Sequence, residues 1–74
     1  MKTRYKYIHF NYSGLLEEWE CHSNDGKEIL GEICQEGDEY HFIAYFSYRL
    51  PEFTEQNLRD IADFLEQLNK EKKT

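Results

Sequence analysis

The sequence predicts an α+β fold: a four-stranded, mainly antiparallel sheet with one C-terminal helix packed on one face, in the order ββββα. Three observations predict it. The chain closes on a capped amphipathic helix over residues 55–69, the residues before it fall into short alternating runs broken by turn residues, and 74 residues leave room for one sheet and one covering helix. A domain of this length buries only roughly 60% of the surface its unfolded chain exposes, so its core is thin. An aromatic fraction of 16% offsets part of that, because each ring buries a large apolar area. Residues 1–74 therefore form a single small domain, with a basic tail from about residue 70 expected to fray.

Residues 4–10 alternate and are rich in Tyr, Ile and Phe, which predicts the first strand; residues 11–14 read as a turn. Residues 15–22 predict the second strand, with Leu15, Glu17, Trp19 and Cys21 on one face and Leu16, Glu18, Glu20 and His22 on the other. Ser23-Asn24-Asp25-Gly26 is the strongest turn, read as a three-residue bulged loop with Gly26 in the left-handed region. In that register Ser23 pairs with Lys27, Cys21 with Ile29, Trp19 with Gly31 and Glu17 with Ile33, while Glu18 stands opposite Glu32. The indole of Trp19 would then cover the bare backbone of Gly31. A two-residue Asp25-Gly26 turn would instead turn the third strand over and set Glu32 beside Trp19.

The third strand is predicted over residues 28–34, a turn over 35–38, the fourth strand over 39–46 and a loop over 47–52. In the fourth strand Tyr40, Phe42, Ala44 and Phe46 share one face and His41, Ile43 and Tyr45 the other. For the helix, Thr54 is the N-cap, Glu55 meets the positive end of the dipole, and Phe53 staples to Leu58. The predicted buried stripe is Leu58, Ile61, Ala62, Leu65 and Leu68, flanked by Phe64 and packed on Trp19, Ile29 and Ile33. Arg59 with Asp63 and Glu66 with Lys70 are predicted i,i+4 pairs.

A formal net charge of −6 argues against DNA, RNA or an anionic membrane as a direct ligand, since polyanion binding is mainly phosphate neutralisation. It favours a basic protein partner or plain solubility. No apolar stretch follows Met1-Lys2-Thr3-Arg4, so no signal peptide is expected, and the longest uncharged apolar run, residues 42–46, is far too short to span a bilayer. Cys21 and Cys34 read as small, buried or half-buried side chains, and two cysteines without a secretory signal suggest reduced thiols in a cytosol.

Candidate chemistry is sparse. Cys21, Cys34, His9, His22 and His41 lack the close spacing of a metal set, and adjacent Cys21 and His22 point to opposite faces of a strand, so no metal and no cofactor is expected. A Cys34–His22 or Cys34–His41 pair is geometrically allowed, but an acidic neighbourhood favours the neutral thiol. Gly14, Gly26, Gly31 and Gly37 are turn or strand glycines with no phosphate loop among them. The expectation is therefore a protein that is not an enzyme, with no catalytic residues. The partner-binding residues read from the charge pattern are Glu18, Glu20, Glu32, Glu36, Asp38 and Glu39, with Tyr45 at their border.

Trp19-Glu20-Cys21, Leu30-Gly31-Glu32-Ile33, Tyr40-His41-Phe42 and the helical run from Asn57 to Leu65 resemble a group of small phage and prophage proteins of unassigned function. That pattern has Leu-Gly-x-Ile, a tryptophan, Trp-Arg, Tyr-x-Phe and a closing helix ending in Leu-Asn, and the resemblance spans residues 15–69. The chain departs from it where Trp-Arg falls near Gly37-Asp38 and where Cys34 replaces the tryptophan. The resemblance implies a phage-type origin more than an activity.

The resulting expectation is an acidic protein-binding module, in its sharper form a phage-encoded inhibitor of a bacterial nucleic-acid-handling or defence protein. The alternative is a small-ligand binder that sequesters nucleotides, with Tyr40, Tyr45 and Tyr48 stacking on a base and a homodimer completing the pocket. An uncovered sheet face holding Ile8, Phe10, Ile43 and Tyr45 would predict self-association or a protein interface.

Overall fold

The computed structural model describes residues 1–45 and 52–72. Strands β1 (Ile8–Ser13), β2 (Glu18–Ser23), β3 (Ile29–Glu36) and β4 (Glu39–Ala44) form one antiparallel sheet in the order β1-β2-β3-β4, followed by helix α1 (Glu55–Lys72). This is the predicted ββββα architecture. Tyr45 continues the pairing one residue past β4 through its amide to the Leu30 carbonyl at 3.0 Å. Phe46 of the predicted fourth strand and residues 47–51 of the predicted loop lie outside the described residues, as do 73–74 of the tail. The helix itself runs past Asn69 to Lys72.

The N-terminal segment differs from the single predicted strand. Residues 3–5 fold back on β1: the Tyr5 amide donates to the Ile8 carbonyl and the Phe10 amide to the Thr3 carbonyl, each at 2.8 Å. The segment is tied to the helix as well. Tyr5 Oη donates to Asp63 Oδ2 at 2.7 Å, and Gln67 exchanges bonds with the Lys2 backbone at 2.9 and 3.0 Å. Burial, then the Asp63 carboxylate, raises the pKa of the Tyr5 phenol, so it stays a donor. Asp63 is thereby drawn away from Arg59, which pairs with Glu55 at 2.9 Å instead of as predicted; Glu66 and Lys70 pair at 3.0 Å as expected.

Residues 11–13 extend β1 rather than turning, and the turn falls over residues 14–17, leaving Leu15 and Leu16 exposed at its tip and Glu17 at φ +54°. Glu17 therefore never reaches Ile33. In the next hairpin Ser23 pairs with Glu28, not Lys27. Asp25 Oδ1 accepts the Ser23 hydroxyl at 2.6 Å and the Lys27 amide at 2.9 Å, which holds Lys27 inside the loop. Gly26 takes φ +77°, as its place in the turn requires.

That longer loop and a bulge reset the register. Trp19 pairs with Ile33, Glu20 with Glu32, Cys21 with Gly31, and then His22 with Ile29, leaving Leu30 as the extra residue. The predicted Glu18–Glu32 opposition is thus a Glu20–Glu32 one. Trp19, Cys21, Gly31 and Ile33 keep their common face, whereas the bulge reverses the alternation before it. Ile29 is 47% exposed and Leu30 packs against the core in its place. The ring lying over Gly31 is that of Phe42 rather than Trp19: a Cβ there would sit 2.7 Å from Phe42 Cζ and clash with the Ile43 carbonyl oxygen.

The core is Tyr5, Ile8, Phe10, Cys21, Ile33, Ile61, Phe64 and Leu68. Ile8 and Phe10 thus lie under the helix, and of the four residues expected on an open face only Ile43 and Tyr45 are there. Phe64, predicted at the flank, is the centre of the helix contact. Its ring stacks on Phe10 at 4.0 Å and 4°, and meets the edge of Trp19 at 5.0 Å. Turning Phe64 inward turns Leu58 and Ala62 outward, so the predicted stripe is rotated. Thr54 caps the helix as expected, with Oγ1 accepting the Asn57 amide at 3.1 Å. Phe53 packs edge-on against Phe42 at 6.0 Å, while the expected staple partner Leu58 is 55% exposed.

Gly31→Ala is expected to destabilise the protein by about 1–3 kcal/mol, the usual cost of forcing atoms into a packed site. Urea unfolding measures this; an unchanged midpoint would show that Phe42 does not seal that backbone.

Candidate functional site

With α1 on one face, the opposite face of the sheet carries the candidate site. The registers set Asn11, Glu20, Glu32 and Ile43 on one rung across all four strands. Strand alternation places Glu18 beside them on β2 and Tyr45 beyond Ile43. Hydrogen bonding toward the Glu32 carboxyl, then burial, then the like charges of Glu32 and Glu20 raise the pKa of Glu18. Tyr45 Oη donates to Glu32 Oε2 at 3.2 Å. Burial, followed by Glu32, raises the pKa of that phenol too. Among the described residues, no lysine or arginine pairs with Glu18, Glu20 or Glu32.

Of the seven residues read from the sequence, the structure gathers Glu18, Glu20, Glu32 and Tyr45. Glu36 and Glu39 pair across the far end of the same face, roughly 13 Å along the strands from Glu32 at about 3.3 Å per residue. Asp38 lies in the turn beyond them. These three are exposed and form a second acidic edge rather than part of the cluster.

Two histidines enlarge the site in a way that sequence spacing did not show. His9 and His22 are direct cross-strand partners, and their rings stack at 5.4 Å and 14°. His22 Nε2 stands 3.7 Å from Glu20 Oε1. Asn24 Nδ2 donates to the carbonyls of Tyr5 and Lys6 at 2.8 and 3.1 Å, so its Oδ1 accepts, and His9 Nδ1 carries the proton of their 2.7 Å bond. Only the β1–β2 register brings the two rings together, and that register depends on a turn the sequence placed too early.

The cysteines separate. Cys21 is fully buried and desolvation pushes its thiol up to about 12, which makes it inert. Cys34 is half-buried on the open face, opposite His41. Among the described residues, no group of three or more His, Cys, Asp or Glu is placed to hold a metal ion, and no helix is long and apolar enough to cross a membrane.

A groove of about 620 Å³ opens between the β2–β3 loop and the start of α1. Asp25, Glu28 and Glu52 line it against a single Lys6, a balance that repels phosphate. Tyr40 packs on the core side and Tyr45 on the open side, so they do not form the shared base-stacking platform of the nucleotide reading; Tyr48 lies outside the described residues.

Two outcomes follow from this geometry. A thiol reagent should titrate one cysteine in the folded protein and the second only after unfolding, and Cys34→Ser should abolish the native reaction; rapid native labelling of Cys21 would contradict its burial. The raised pKa of Glu18 means that the folded state binds this proton more tightly than the unfolded chain does, so stability is lost as pH rises from the ordinary value of 4.5 through the raised one. Glu18→Gln should therefore melt higher than the parent at neutral pH, with the gap closing below 4.5. A variant that melts lower at neutral pH would refute the raised pKa of Glu18.

Comparison with protein-family models, with curated proteins and with solved structures finds no match to this chain.

Proposed function

We propose that the protein is a non-enzymatic binding module whose open sheet face docks a basic surface of a protein partner. The observation that carries this reading is the gathering of Glu18, Glu20 and Glu32 with Tyr45 on an uncovered face, without a cationic partner among the described residues. Like charges held this close oppose folding, and an arginine or lysine from a partner relieves that opposition. It favours the ionised form of Glu18 and gains charge-assisted hydrogen bonds to each carboxylate. Glu36, Asp38 and Glu39 extend the negative field along the sheet and steer the approach. A groove that binds nucleic-acid phosphates has the complementary charge. Together with the resemblance to small phage proteins, this supports the sharper form, a phage-encoded inhibitor acting in the bacterial cytoplasm on a nucleic-acid-handling or defence protein.

The test is capture of partners from bacterial lysate by the tagged protein at low and moderate salt, with the recovered proteins identified by mass spectrometry. A basic partner recovered at low salt and lost at higher salt is expected. The triple variant Glu18→Gln, Glu20→Gln, Glu32→Gln should bind it at least tenfold more weakly, a change of about 1.4 kcal/mol. Affinity indifferent both to salt and to the triple substitution would refute the carboxylate-driven contact.

A further inference from the structure

The sheet has two edges, and the fold treats them differently. β1 is covered over its first half by residues 3–5, which take the outward Ile8 carbonyl and Phe10 amide. Among the described residues, β4 has no such cover. The Tyr45 amide bonds inward to Leu30, and in an antiparallel pair the residues that bond a given neighbour alternate. Ile43, His41 and Glu39 therefore bond β3, while Tyr40, Phe42 and Ala44 direct their N–H and C=O groups away from the sheet. Tyr40 bears this out: its amide donates outward to Asn69 Oδ1 of the helix at 3.3 Å. Among the described residues, nothing takes the outward groups of Phe42 and Ala44.

From this we infer that β4 is the interface of a homodimer, in which the β4 strands of two copies pair antiparallel about Ile43 and join the sheets edge to edge. Outward backbone donors and acceptors on alternate residues of an edge form a template that a strand fits. Self-complementarity makes that strand a second copy. With the two-fold axis at Ile43, Phe42 of one chain faces Ala44 of the other and the reverse, which satisfies the outward groups of both residues. The alternative centre, Phe42 on Phe42, would require the Tyr40 amide that Asn69 already holds. The chosen register also sets Ile43 against its symmetry mate in the closer, non-hydrogen-bonded kind of pair. Ile43 is 45% exposed in the single chain and is covered there. No charged side chain lies at the axis, while the net charge of −6 on each chain opposes association at a distance, so the dimer strengthens with salt. That is the reverse of the salt response expected for a basic partner, and either inference can fail without the other.

Size-exclusion chromatography with light scattering over a dilution series, at low and moderate salt, tests this. The wild-type mass should reach twice the 9.0 kDa of one chain, and reach it more readily at higher salt. Ala44→Pro removes only an outward amide, a position where an edge strand tolerates proline. Ile43→Lys sets like charges across the axis. Both variants should run as monomers with the circular dichroism of the parent; if Ala44→Pro fails to fold, Ile43→Lys decides. A wild-type protein that stays monomeric throughout, one that grows beyond a dimer, or a dimer that survives the substitutions would each overturn the inference.

Discussion

The contact of Phe64 with Phe10 and Trp19 is the junction on which the rest of the molecule depends. A chain this small has one helix with which to cover one face of its sheet, and the helix orients to bury its largest apolar side chain against the aromatic floor of β1 and β2. That choice sets which helical residues face inward. It sends Leu58 and Ala62 to solvent and brings Asp63 and Gln67 to the flank, where Tyr5 and Lys2 meet them. The N-terminal segment is held against β1 by those contacts, so the first half of one sheet edge is covered as a consequence of how the helix sits. Asn69, farther along the same helix, reaches the other edge at Tyr40 and closes only part of it.

Covering one face leaves the other to water, and its composition follows. Glu18, Glu20 and Glu32 would be costly under a helix, because buried charges without partners lose their hydration. On the open face they are tolerated, but the strand registers bring them close enough that Glu32 and Glu20 raise the pKa of Glu18. Natural surfaces usually intersperse charges of both signs. The cluster is a local departure from that habit, maintained against its own repulsion, and this is the physical basis for reading it as a binding surface. The stacked histidines at one end and the Glu36–Glu39 pair at the other make the face a graded one, from imidazoles to carboxylates.

The sequence by itself determined the order of elements, the Thr54 cap and the left-handed place of Gly26, because each depends on local periodicity or on the chemistry of a few neighbouring residues. The common face of Trp19, Cys21 and Ile33 was legible for the same reason. Only the tertiary structure decided the rest. Which carboxylates meet depends on a loop lengthened by Asp25 holding Lys27 and on a bulge at Leu30, neither of which alternation reveals. Which helical side chains are buried depends on the shape of the aromatic floor, so Phe64 displaced a stripe that spacing alone placed elsewhere. The pairing of His9 with His22, and the ring lying over Gly31, are long-range facts set by strand register. A register is a sum of contacts across the sheet, and no single stretch of sequence contains it.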